Sequence, residues 1–198
     1  MKIGILGGTF DPVHKGHIYI AEQCMKHLGM DRIIFLPNGN PPHKRGRNIT
    51  DKEHRYNMLK IAISGCEGFC VSDYEIRREE YSYTVETMRN LRKLSDDEYI
   101  LIIGADSFYQ LDLWYKSDEL VKENRFVVLD REYDGHGNIS EDVERFNKEH
   151  LSHISLLKIP LIDISSTEIR NRITMGTDIS DMVGEKVANY IKENNLYR

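Results

Sequence analysis

The chain carries one tryptophan, five prolines and three cysteines in 198 residues, and it has no long hydrophobic run. Each scarcity excludes something. The most apolar stretch, residues 99–105 (YILIIGA), is far shorter than the roughly 18 residues that suggest a membrane span, so no segment is expected to cross a bilayer. The opening MKIGILGGTF reaches glycines almost at once, with neither the apolar core of a secretory signal nor a small-residue cleavage site, which gives a cytoplasmic expectation. Cys24, Cys66 and Cys70 are odd in number and scattered, so they read as free thiols. A metal at Cys66 and Cys70 needs a second ligand pair, and the sequence offers none nearby. A net charge of -5 leaves no broad basic face for long nucleic acid, although a small phosphorylated ligand needs only a local cluster of donors.

What the chain does have is 40% hydrophobic residues over the length of one domain, so one domain spanning residues 1–198 is expected. Residues 2–6 are apolar and run into Gly7 and Gly8, the pattern of a buried strand ending in a turn. Apolar positions Ile18, Ala21, Met25 and Leu28 then line one face of a helix over 16–28, with Gly29 as its stop. Residues 32–36 (RIIFL) follow as a strand, completing a βαβ unit and implying a parallel sheet. The loop at 37–48 concentrates His43, Lys44, Arg45 and Arg47, and Thr50 with Glu53 reads as a capping box opening a helix to about Ser64. Further strands are expected at 69–72, 99–103, 126–129 and 154–159, and helices at 85–94, around 119–122, at 166–173 and at 182–191. Residues 132–150 read as surface helix and loop. The alternation predicts a doubly wound α/β parallel sheet with helices on both faces, whose ligands bind beyond the carboxyl ends of the strands.

Two strand-to-helix turns carry the chemistry. In residues 7–17, GGTFDPVHKGH, Gly7 and Gly8 let a ligand approach the backbone, and the following helix aims unpaired N–H groups and its positive dipole end at that place. His14 and His17 add side-chain donors at the helix start. In residues 164–170, ISSTEIR, Ser165 and Glu168 read as a second capping box, exposing N–H groups and the hydroxyls of Ser165, Ser166 and Thr167. Side chains on a helix lean toward its N-terminus, so Arg170 can fold its donor fork over the same end. Both turns read as anion sites.

GGTFDPVHKGH resembles the HxGH motif of the nucleotidylyltransferase superfamily, and ISSTEIR resembles its second motif, which ends in a phosphate-binding arginine. PNGNPPHK, the SYT at 82–84, IIGADS at 102–107, Trp114 and the closing NNLYR are similar, in order and spacing, to the bacterial nicotinate-nucleotide adenylyltransferases. The resemblance implies a Rossmann-like sheet and an enzyme that moves AMP from ATP to nicotinate mononucleotide, with magnesium bound alongside ATP. It implies that Gly7, Gly8, Thr9 and Phe10 lie against ATP, that His14 and His17 meet the α and β phosphates, and that Ser165, Ser166 and Arg170 meet the β and γ phosphates. Gly104 and Asp106 take the ATP ribose, and Lys44 the phosphate of the mononucleotide. Trp114 offers a flat face for the pyridine ring, and the backbone near Thr84 and Tyr115 receives the nicotinate carboxylate. Members of the family often carry arginine, proline and glycine after the fifth strand; here Arg131 is followed by Glu132 and Tyr133, so a phosphate role for Arg131 is left open. A homo-oligomer is also left open.

The implied reaction needs no protein nucleophile and no strong base, because the attacking phosphate is already ionised near neutral pH. It needs two polyanions brought together in line. Rival readings within enzymes are nicotinamide mononucleotide or pantetheine-phosphate adenylyltransferase; outside enzymes, the rival is a nucleotide sensor without turnover.

Overall fold

The computed structural model describes residues 1–39, 49–130, 138–160 and 162–198. Lys44 and Arg131, both named above, lie outside the described residues. Six parallel strands, β1 (Lys2–Gly8), β2 (Arg32–Pro37), β3 (Phe69–Val71), β4 (Glu98–Gly104), β5 (Arg125–Asp130) and β6 (His153–Lys158), form one sheet in the order β3-β2-β1-β4-β5-β6. From β1 the chain winds outward to β2 and β3, then returns to place β4 on the other side of β1. The order therefore reverses between β1 and β4, and the crevice at such a reversal is where doubly wound sheets bind ligands. Register pairs Leu6 with Ile102, so Gly7 and Gly8 face the end of β4 across that crevice.

Strict alternation along the strands builds two cores. Leu6, Ile33, Phe35, Ile100, Ile102, Val127 and Leu129 point to one face, where α1 (Lys15–Leu28), α2 (Lys52–Ala62), α7 (Ser166–Thr174) and α9 (Glu185–Glu193) cover them. Ile3, Ile5, Leu36, Leu101, Ile103, Phe126 and Val128 point to the other, under α3 (Thr84–Leu94), α5 (Ser117–Glu123) and α6 (Ile139–His150). Burial on both faces is why these strands read as nearly continuous apolar runs. The three cysteines are free thiols. No helix among the described residues is long and apolar enough to cross a membrane.

Two expectations need correction. The cap of α2 is Asp51, whose side chain accepts from Glu53 N–H at 2.8 Å, and not Thr50. A carboxylate one residue nearer the helix captures the same free donor, leaving the Thr50 carbonyl for another partner. The closing helix expected over 182–191 is broken into α8 (Ser180–Val183) and α9, because Gly184 adopts φ 85° and ψ 152°, outside the helical region. The segment after residue 138 forms α6, a surface helix as expected, anchored by the buried Val143 and Phe146. Two short elements went unread, α4 (Ala105–Phe108) and a 3-10 turn at Leu111–Leu113.

Candidate active site

At the end of β1 the chain turns through residues 9–14 before α1 begins. Phe10 sits at φ 51°, a left-handed conformation uncommon for a side chain of that bulk, and only 2% of it is exposed. Its ring packs edge-on to His17 at 4.9 Å and lies 6.0 Å from Phe35, so the side chain is turned into the core and only its backbone faces the crevice. A Cβ on Gly8 would stand 2.9 Å from that ring, which explains glycine there. Gly7, in contrast, is open on its Cβ side and exposed.

His14 is the N-cap of α1 and is buried. The His14 backbone N–H donates to His17 Nδ1 at 3.2 Å, and the two rings lie against each other with centroids 3.7 Å apart, tilted by 32°. A backbone N–H can only donate, so Nδ1 of His17 is an acceptor and its proton rides on Nε2. A Cβ on Gly16 would come within 3.0 Å of His14 Nδ1, so this glycine, too, leaves room for the imidazole pair.

The second motif closes over the first. Ser165 caps α7, its hydroxyl accepting from Glu168 N–H at 3.1 Å. The reciprocal half of the expected capping box is not what Glu168 does, because its carboxylate accepts instead from Arg172 at 3.0 Å, one turn along the helix. Ser166 donates its hydroxyl to the Pro12 carbonyl at 2.9 Å. Arg170 donates from Nη1 to the Asp11 carbonyl at 2.6 Å and from Nη2 to Thr167 Oγ1 at 3.2 Å. Two segments more than 150 residues apart in sequence thus share one turn. Between them lies a cleft of about 170 Å³, lined from one side by His14, Gly16 and His17 and from the other by Ser165 and Ser166.

Across the crevice, Gly104 precedes α4, and Asp106 in its first turn is exposed. Thr84 opens α3, whose cap residue Tyr83 packs against Tyr115 with ring centroids 4.3 Å apart; this brings Thr84 and Tyr115 to one place. Trp114 ends the 3-10 turn and is half-buried against the second core, so part of its ring area is structural.

Several residues that hold the site were not singled out from sequence. Arg55 is 1% exposed and donates to the carbonyls of Thr50 (2.9 Å), Thr9 (2.8 Å), Asn38 (2.7 Å) and Gly39 (3.3 Å). Burial pulls its pKa down, opposed by the nearby Asp11 carboxylate. Asp11, itself buried, accepts from the Tyr197 hydroxyl at 2.7 Å and from Thr50 N–H at 3.4 Å. Burial, reinforced by Asp11, pushes the Tyr197 phenol well above its ordinary pKa, so it stays a donor. Glu75 is buried where it accepts from the Thr87 hydroxyl at 2.9 Å, and burial raises its pKa. A signal for Arg55 did exist: with Met58 and Leu59 it occupies the i, i+3, i+4 face of α2, a place for apolar side chains. Among the described residues no group of three His, Cys, Asp or Glu side chains is gathered to hold a metal ion.

A parallel sheet reversing its winding at a glycine turn, with two helix N-termini meeting over that turn, defines a nucleotide-binding α/β protein of the Rossmann-like class. The cytidylyltransferase-like family matches residues 5–172. A relative from Clostridium tetani, named a probable nicotinate-nucleotide adenylyltransferase, is 42% identical over 100% of this chain and 99% of its own. One of the same name from Clostridium novyi is 43% identical over the same shares. Among solved structures, a nicotinic acid mononucleotide adenylyltransferase of Plasmodium falciparum complexed with NaAD superposes with a TM-score of 0.81 at 24% identity, covering 99% of this chain and 97% of that one. The chain belongs to the cytidylyltransferase-like family and, within it, to the nicotinate-nucleotide adenylyltransferases.

Proposed function

We propose that this chain transfers AMP from ATP to nicotinate mononucleotide, releasing pyrophosphate and forming the deamidated dinucleotide precursor of NAD. The observation that carries this reading is the meeting of α1 and α7 at one turn, where Arg170 and Ser166 bond the carbonyls of Asp11 and Pro12. The names of its full-length relatives supply the substrate pair.

The 5′-phosphate of the mononucleotide attacks the α-phosphorus of ATP, and the bond to the β-phosphate oxygen breaks. The obstacle is repulsion between two polyanions, so the protein contributes alignment and fixed positive potential. His17 offers its Nε2–H to the α and β phosphates, and the adjoining His14 takes part in the same contact. Ser165, Ser166 and the guanidinium of Arg170 hold the β and γ phosphates, so developing charge on the leaving pyrophosphate meets donors already in place. Gly7, Gly8, Thr9 and the Phe10 backbone seat the nucleotide, and Gly104 with Asp106 binds its ribose. Lys44 neutralises the mononucleotide phosphate, Trp114 stacks on the pyridine, and the backbone at Thr84 and Tyr115 receives the carboxylate. Magnesium enters as part of the ATP complex.

The test is pyrophosphate release on mixing the chain with ATP, magnesium and, in turn, nicotinate mononucleotide, nicotinamide mononucleotide and phosphopantetheine. Release with the first alone, or at least tenfold faster than with the second, is expected. Release with phosphopantetheine only, or with none, overturns the proposal.

A further inference from the structure

The turn at residues 9–12 is gripped from two directions. From α7 come Ser166, which lines the cleft, and Arg170. From behind, Arg55 spends its three nitrogens on four carbonyls, one of them Thr9 at the head of the turn and two, Asn38 and Gly39, following β2. Tyr197 fixes the Asp11 side chain at 2.7 Å, while the carbonyl of the same Asp11 receives Arg170 at 2.6 Å. A guanidinium can satisfy several acceptors in fixed directions because its donors are planar and rigid, which a lysine cannot reproduce.

We propose that Arg55 and Tyr197 are positioning residues for the reaction: acting through Thr9 and Asp11, they fix the phosphate-binding turn and, with it, the guanidinium of Arg170. The inference rests on the function proposed above. A residue of this kind reveals itself in turnover per folded molecule, because a shift of about 1 Å in an aligned group can lower a rate on the order of a hundredfold. A residue that serves only stability changes the folded fraction and leaves turnover alone.

Tyr190 provides the comparison. Its hydroxyl is also tied, to His54 Nδ1 at 2.9 Å and to Asn57 Nδ2 at 3.3 Å, and it bridges α9 to α2 without a hydrogen bond to residues 9–12. The experiment measures thermal unfolding, steady-state pyrophosphate release and calorimetric binding of a non-hydrolysable ATP analogue for Tyr197→Phe, Arg55→Lys and Tyr190→Phe in the full chain. Expected are losses in kcat of about tenfold for Tyr197→Phe and about a hundredfold for Arg55→Lys. Tyr190→Phe lowers the melting temperature to a similar degree as Tyr197→Phe and retains the parent kcat. Equal kcat for the two tyrosine variants overturns the inference; if Arg55→Lys does not fold, that pair decides it. Should the parent chain release no pyrophosphate with any acceptor, the functional reading fails and analogue binding decides in its place: weakening by Tyr197→Phe and not by Tyr190→Phe upholds the positioning role, and equal affinities end it.

Discussion

Arg170 reaches across 159 positions of sequence to place its Nη1 2.6 Å from the main-chain oxygen of Asp11. The same guanidinium touches Thr167, so one planar group joins the start of α7 to the glycine turn after β1. A lysine offers a point charge without the fork. Arg170→Lys is expected to keep the fold, lose about 1–2 kcal/mol of stability from the broken bonds, and lower kcat/KM for ATP on the order of tenfold to a hundredfold. Denaturant titration and steady-state kinetics measure the two effects separately.

In the proposed reaction His17 gives its Nε2–H to the phosphates, while its Nδ1 accepts from the His14 N–H at the helix start. His17→Ala therefore removes one cap bond, worth about 1 kcal/mol, and one phosphate donor, worth a hundredfold or more in turnover. In a protein of this length that stability loss lowers the melting temperature by roughly 2–4 °C. A large loss of thermal stability with unchanged turnover contradicts the role.

Trp114 packs part of its surface against the second core and leaves the rest accessible. Trp114→Ala is expected to raise KM for the mononucleotide by roughly tenfold, the size of a lost aromatic stack of about 1–1.5 kcal/mol, with KM for ATP nearly unchanged. Equal weakening of both substrates, seen in kinetics with each varied in turn, discards the stacking role.

Cys24 sits on the buried face of α1, where burial pushes its thiol pKa up to about 12 from the ordinary 9. The folded state thus keeps a proton that the unfolded chain loses. The corresponding stability is intact below about pH 9 and declines as pH rises toward 12, at no more than about 1.4 kcal/mol per pH unit. Urea unfolding at pH 8 and pH 10 is expected to show a smaller decline in Cys24→Ala than in the parent. At pH 8, alkylating reagent is expected to spare Cys24 until the chain unfolds.

Most of the architecture was legible because it depends on local pattern. The strands were readable as apolar runs bounded by glycine and polar residues, and α1 as a 3.6-residue periodicity ended at Gly29. The two motif turns were legible for a similar reason, since a glycine pair before a helix, or serines at a helix start, act within a few residues. Boundaries failed where two neighbours compete for one function: Asp51 against Thr50 at the cap of α2, and Gly184 against the apolar spacing of α8 and α9. Arg55 was harder. Its position on an apolar face hinted at burial, but its acceptors are backbone oxygens from four residues at three other places in the chain, and a carbonyl carries no residue-type signature.

By itself, then, the sequence determined the winding of strands and helices, the two helix starts equipped for anions, and the family, because propensity, periodicity and capping all operate over short stretches. Only the tertiary structure decided that these helix starts share one turn and that Asp11, Arg55 and Tyr197 brace that turn. Those are hydrogen bonds between groups as far as 186 residues apart, and their geometry exists only once the sheet has brought the loops after β1 and β2 and the segment after α9 to the same end.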